Sequence, residues 1–578
     1  MEEVNAGAYA MNGRLYSGRN TFTNSNSSPT AVYSGCLRRL RAWIPINYKN
    51  EIAQLSKLAV PVFIAQLMIY CISLVSTVFC GHLGKTELAA VSLAVSIINV
   101  TSFSFGFGLA SACDTFMSQT FGSNNLKRVG VILQRAILIL LLACCPCWAI
   151  LINTESILLA VRQDPDVAKL SQLYVKIFMP ALPAAFLYQL QERYLQNQGI
   201  QWPQVITGVV TNVLNALINF LFLFVLDLGV VGSAAANCIS QYCLVALLYG
   251  YIRWRDLHKA TWAGWSTECL QEWGAYIRVA VPSMFMLCLE WWIYEIGYFL
   301  AGLISEVELG AQSIVYAVSN VAYMFPYGFS IAASVRVGNA LGAGNTQQAL
   351  VTSKLSILCA VMVSTCVATV IGASKDVIGY IFTNDVEIRK RTGEAMVLYA
   401  PFHLFDAIAA VAGGIVRGAA KQKVGAIGNL VGFYFVGYPI GVSLMFAAKL
   451  GITGLWMGLL ICVFVQACFF VIFIAKLDWK KATDEALVRA GVRTAEQIGD
   501  HRHTQGGQSY LRDRVEEQGS WEFSSDMEQL EERELASGTV AAELSFTQLL
   551  LRRGLAVCVM LFILAIGIIT NLLLTSVT

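Results

Sequence analysis

Residues 280–304 read AVPSMFMLCLEWWIYEIGYFLAGLI, an apolar run that carries two carboxylates, Glu290 and Glu295. At about 1.5 Å per residue the run forms a helix longer than the roughly 30 Å hydrocarbon core of a bilayer. Glu290 falls near its middle. A charged side chain at that depth costs about 2.5–3.5 kcal/mol on insertion scales, so such acids face a water-filled cavity or a partner and mark an ion or substrate path.

Working outward, further runs long enough to span a membrane lie near 58–80, 88–111, 131–152, 170–190, 204–226 and 231–251 before it. After it come 310–333, 352–372, 395–415, 424–447 and 452–475, and a last one near 555–574. The chain is therefore expected to be an all-α polytopic membrane protein with thirteen spans. Its 578 residues are 56% apolar and 13% charged, against about 25% charged in soluble domains. The net charge of +3 is dispersed, which gives no reason to expect nucleic acid as a partner. The sixteen cysteines sit mostly inside apolar runs and read as packing residues, without metal-ligand spacing.

The spans fall into two halves. LAVP at 58–61 recurs as VAVP at 279–282, and CGHLGKTELAAVS at 80–92 lies over AGLISEVELGAQS at 301–313, both at an offset of 221. Phe121-Gly122 recurs as Leu341-Gly342, Pro180 as Pro401, and LGVVG at 228–232 as LGITG at 450–454. Near-constant spacing over six helices means duplication. Each half has an even number of spans, so both enter the membrane alike, and two six-helix bundles related by a pseudo-twofold axis along the membrane normal are expected, with the site between them near the midplane. The expected domains are a cytoplasmic tail (1–55), an N-lobe (56–254), an inter-lobe linker (255–277), a C-lobe (278–477), a cytoplasmic polar linker (478–550), and a thirteenth helix with an extracellular C-terminus (551–578).

Orientation follows from the basic residues. Arg38, Arg39, Arg41 and Lys49 precede the first span, and Lys476, Lys480 and Lys481 follow the twelfth, which puts the N-terminus inside. Arg389, Lys390 and Arg391 fall in a loop expected outside. The polar segment from Asp478 to about Thr547 reads as a soluble tail with one short helix at most, whose removal near Asp478 is expected to leave transport measurable.

The repeat also tests the acids. Position 290 corresponds to Ile69, 295 to Leu74, and Asp406, in the tenth span, to Ala185. Scaffold residues shared by ancestry ought to appear in both halves, as Pro61 and Pro282 do; Glu290 and Asp406 belong to the second half only and are expected to be functional. Glu290 and Glu295 lie about 140° apart on a helix at about 100° per residue and do not share a face. Glu290 shares its stripe with Tyr294 and Tyr298, while Glu295 follows Trp291 and Trp292. Burial beside aromatics disfavours the ionised form of a carboxylate, so such a group can exchange a proton near physiological pH, and aromatic faces attract organic cations. Packing or interfacial anchoring explains any single aromatic equally well.

Polarity also appears as Asn212, Asn215 and Asn219 on the fifth span and as Gln66, Ser73, Ser76 and Thr77 on the first; interhelical hydrogen bonding and a cavity role both account for it. Asp114, Glu306 and Glu308 read as solvated, Arg135 and Lys354 as snorkelling cations, and His403 carries little by itself. There is no Walker loop, metal-ligand cluster or catalytic nucleophile. Neither a cofactor nor ATP is expected, and the proton gradient is the expected energy source.

The runs CGHLG, GFGLASACDT, QNQG, CLEWWIYE, VELGAQSIVY, SVRVGNALGAGN and FVGYPIG resemble the multidrug and toxic compound extrusion family, in its vertebrate branch, over about residues 50–475. The resemblance implies a plasma-membrane antiporter of two six-helix lobes, functional as a monomer, that exports small organic cations in exchange for protons. It implies Glu290, Glu295 and Asp406 as the essential acids and Trp291, Tyr294, Tyr316 and Tyr323 as cavity aromatics. Where vertebrate members carry a further glutamate after IVY, this chain has Ala317.

Overall fold

The computed structural model describes residues 48–81, 83–492 and 545–577. The basic cluster Arg38, Arg39 and Arg41 and residues 493–544 of the polar segment lie outside the described residues.

Twelve described helices are long and apolar enough to span a membrane, and one bent pair makes a thirteenth. The first lobe holds α1 (Tyr48–Gly81), α2 (Thr86–Gly122), α3 (Leu126–Leu151), α4 (Pro165–Phe178 and Ala181–Asn197), α5 (Trp202–Val225) and α6 (Gly229–Trp254). The second holds α7 (Trp273–Gly302), α8 (Glu306–Gly342), α9 (Thr346–Ala373), α10 (Val386–Gly418), α11 (Gln422–Ala447) and α12 (Ile452–Lys476). A short helix, α13 (Trp479–Arg489), follows, and α14 (Phe546–Val577) is the last span.

The fourth span differs from the single straight helix expected at 170–190: it bends by 57° at Met179-Pro180. Proline cannot donate to the helical ladder and its ring crowds the preceding turn. The carbonyls at the break are taken up by side chains, with Trp148 Nε1 donating to Met179 O (2.9 Å) and Tyr242 Oη to Pro180 O (2.8 Å).

The lobes trade helix bases. Leu55 and Ala59 of α1 pack with Phe329 and Ala332 of α8, and Phe63 stacks on Phe325 with ring centroids 4.2 Å apart. Reciprocally, Trp273, Tyr276 and Ala280 of α7 join the first lobe's core, where Tyr276 stacks on Phe116. A glutamate pins each base. Glu51 accepts from Arg336 at 2.6 and 2.7 Å and from Thr352 at 2.7 Å. Its counterpart at offset 221, Glu272, pairs with Arg128 and Arg135 at 3.1 Å. Arg135 is thus buried and paired rather than snorkelling, because Glu272 supplies a countercharge that the headgroups would otherwise give.

At this end α2 and α8 approach backbone to backbone. A Cβ at Gly342 would fall on the Gln119 carbonyl oxygen and one at Gly122 on that of Asn339, so the repeated glycines are a steric requirement of the closed end. α13 lies across it: Arg489 Nε donates to Gln119 Oε1 (3.0 Å) and Asn125 Nδ2 to Ala490 O (3.2 Å), while Thr483 bonds Thr346 (2.7 Å) and Glu485 pairs with Lys421 (3.4 Å). Residues 479–489, expected in a soluble tail, are therefore a docked helix that touches both lobes. Its apolar side, Trp479, Ala482, Ala486 and Leu487, is buried.

At the opposite end Glu308, expected to be solvated, joins three helices. It accepts from Arg391 Nε (2.6 Å) and from Ile452 N (2.6 Å). Arg389 lies over Tyr380 at 3.9 Å. Two of the three cations that blurred the loop-charge pattern are thus used locally. α14 runs along α3, with Asn153 donating to Gly567 O and Asn571 to Ile152 O, both at 3.0 Å.

Candidate functional site

The pairs on α7 and α8 follow from their spacing. Glu290 and Glu295 are five residues apart, or about 7.5 Å of rise, so each meets its own tyrosine on α8. Tyr323 Oη donates to Glu290 Oε1 (2.7 Å) and Tyr316 Oη to Glu295 Oε1 (3.1 Å). Glu295 also accepts from Ser96 Oγ of α2 (2.9 Å), a contact between the lobes. The two carboxylates do face different surroundings, as the helical angle requires.

Glu290, Tyr323 and Tyr327 line a cavity that lies mostly within the second lobe, together with Asp406 and Arg417 of α10, and only Ser111 of α2 and Arg193 of α4 reach it from the first. Its free volume is about 30 Å³, room for one or two waters; a drug-sized ligand needs roughly 300 Å³ or more. Two carboxylates, Glu290 and Asp406, and two guanidiniums, Arg193 and Arg417, thus share one small space, where like charges repel and opposite ones attract strongly.

Of the remaining expected residues, Trp291, Tyr294, Tyr316 and Glu295 lie outside this lining. Trp291 packs edge-on against Phe107 of α2 at 5.8 Å, and Tyr294 lies 6.2 Å from Tyr316. Asn212, Asn215 and Gln66 also lie outside this lining. Asn212 donates to Met68 O (2.7 Å), while Asn215 is fully buried and donates to Ser240 Oγ (2.9 Å) and Asn237 Oδ1 (3.3 Å). Gln66 Nε2 donates to Glu192 Oε1 at 3.1 Å, inside the first lobe. The asparagine stripe makes helix-to-helix hydrogen bonds, as one of the two sequence readings expects. The second lobe repeats the lock, with Asn429 donating to Met286 O at 2.8 Å.

The sequence reading missed a polar centre in the first lobe. Asp114, expected to be solvated, is buried and paired with Arg193 at 2.9 Å. Arg193 Nη2 donates onward to Tyr327 Oη at 3.1 Å, across the lobes. Glu192 is 1% exposed, so intramembrane acids are not confined to the second half. What hid them was the bend in α4, which carries the helix to Asn197; the polar run QLQERYLQNQ looked like the end of a span. Arg417, just past the span expected at 395–415, sits inside the end of α10 and donates to Ser330 Oγ (2.8 Å).

The MatE family model matches residues 61–221 and 282–442, two segments whose starts and ends are each 221 apart, the offset of the internal repeat (282 − 61 and 442 − 221). The chain belongs to the MatE family. Two relatives match over almost their whole length. Multidrug and toxin extrusion protein 1 of Danio rerio is 64% identical over 557 residues, covering 95% of this chain and 94% of that protein. The Homo sapiens protein of the same name is 52% identical over 536 residues, covering 91% and 94%. Among solved structures, the eukaryotic MATE transporter AtDTX14 superposes with a TM-score of 0.74 at 29% identity, covering 77% of this chain and all of that one. The bent form of the Vibrio cholerae MATE transporter VcmN, at 16% identity and TM-score 0.67, shares the fold. This MatE chain is a two-lobed membrane transporter and not an enzyme.

Proposed function

We propose that this MatE chain is an antiporter of the plasma membrane that exports small organic cations in exchange for protons, by alternating access of a site between its lobes. The observation that carries this reading is the convergence of Glu290 from α7 and Asp406 from α10 on one cavity. A cationic substrate is held by these acids and by aromatic faces nearby; protons arriving from the acidic outer side neutralise the carboxylates and release it. A ligand shifts the two access states only by binding them differently, and neutralisation supplies that difference. The relatives' names, multidrug and toxin extrusion protein, support export of drug-like compounds.

The positive-inside pattern supports a cytoplasmic N-terminus and assigns the end closed by Gly122, Gly342 and α13 to the cytoplasm. On this reading the closed end faces the cytoplasm. On the same reading thirteen spans carry the C-terminus outside, and the lining of the cavity by one chain supports a functional monomer. Arg193 and Arg417 also reach the cavity, but against Glu290, Asp406 and the Asp114 that holds Arg193 they leave no excess positive charge for a polyanion. This disfavours a lipid-precursor flippase of the same architecture. Sodium coupling is the competing reading, and export of a radiolabelled organic cation from proteoliposomes under a pH gradient or a sodium gradient, imposed one at a time, separates the two.

A further inference from the structure

The first lobe holds a second acid whose bonding is unfinished. Glu192 Oε1 accepts from Gln66 (3.1 Å) and Gln196 (2.8 Å), while its buried Oε2 has no partner. The next residue, Arg193, spends one end on Asp114 (2.9 Å) and the other on Tyr327 of the opposite lobe (3.1 Å), and its buried Nε–H has no partner either. An unspent acceptor and an unspent donor thus stand on consecutive residues. The groups around Glu192 are Asp114 from α2, Tyr327 from α8, and Tyr188 and Arg193 on its own helix, with the neutral amides of Gln66 from α1 and Gln204 from α5. Asp114 and Glu192 together outnumber the one guanidinium among them.

We propose that Glu192 is a second proton site, in the first lobe, and that its protonation state sets the strength of the Arg193–Tyr327 contact that ties the lobes together. The proposal rests on the proton-coupled reading above. With a proton on Oε2, Glu192 is neutral, and Arg193 stays with Asp114 and Tyr327. When that proton leaves to cavity water, the bare carboxylate draws the free Nε–H of Arg193 toward Oε2 and the guanidinium turns away from Tyr327. No bond other than the O–H is made or broken covalently. Tyr327 stands 6.2 Å from Tyr323, which holds Glu290, so the two proton sites meet at one pair of phenols.

The test is infrared difference titration of the purified full chain together with cation export across a pH series. In wild-type protein a carbonyl stretch of a protonated carboxyl, assigned to Glu192, titrates, and export shows two pH-dependent steps. Glu192→Gln loses that band and one of the steps while still exporting cation. Glu192→Asp restores both in part. Tyr327→Phe keeps the band but loses the step, and it stands in where Glu192→Gln fails to reach the membrane. An unchanged infrared band in Glu192→Gln overturns the proposal, as does an unchanged pH profile in Glu192→Gln or Tyr327→Phe. The infrared titration needs no gradient, so it reads Glu192 even where wild-type export proves to be driven by sodium, which is the outcome that sinks the antiport reading instead.

Discussion

The asymmetry of the two halves is decided residue by residue. Glu290 lines the second lobe's buried cavity with Tyr323 bonded to it, whereas its mirror position, Ile69, packs on the first lobe's hydrophobic core. Ile69→Val should therefore cost about 0.5–1.5 kcal/mol of stability and leave export per molecule unchanged, read from a melting curve in detergent beside a flux assay. Asn215→Ala strips three buried hydrogen-bonding partners, Ser240, Asn237 and Asn219, and should cost about 1–3 kcal/mol, again with flux per folded molecule preserved; a change in cation affinity at normal stability would place Asn215 in the binding cavity. The second-half acids were legible because the repeat supplied an internal control. The asparagines were not, since a buried amide looks the same in sequence whether it faces a ligand or a neighbouring helix.

Elements read well where apolar length alone decides them and poorly where a break or a docked helix intervenes. Twelve spans follow from hydropathy; the fourth does not, because Pro180 both bends it and lets it continue to Asn197, hiding Glu192 and Arg193 in what looked like a loop. The segment after the twelfth span misled in the other direction. α13 buries Trp479 and Leu487 and bonds both lobes, so truncation at Asp478 removes more than a tail. A chain ending after Val492 should export at near wild-type rates once delivered, whereas one ending at Asp478 should lose a substantial part of its export. Equal rates in the two truncations, at matched surface expression, would show that α13 does not hold the lobes.

For the whole molecule, duplication at an offset of 221 announced two bundles and their axis, but periodicity does not say which bundle the base of a helix packs into. The exchange of the α1 and α7 bases became visible only through Glu51 on Arg336 and Glu272 on Arg128 and Arg135. The Glu51 pin is the stronger, its side chain 8% exposed against 47% for Glu272, because exposure to solvent weakens an ion pair. Gly342→Val should prevent α2 and α8 from meeting, and a cysteine at position 118 should then react with a membrane-impermeant thiol reagent from the cytoplasmic side; protection equal to that in the parent chain would contradict the steric account of closure. The central claim is that Glu290 and Asp406 couple cation export to protons, and Glu290→Gln removes the titratable proton and the negative charge while keeping size and much of the hydrogen bonding. In proteoliposomes with a pH gradient as the sole driving force, wild-type protein should export a radiolabelled organic cation and Glu290→Gln, folded and inserted to the same extent, should not. Export by Glu290→Gln at the wild-type rate with unchanged pH dependence would contradict the account.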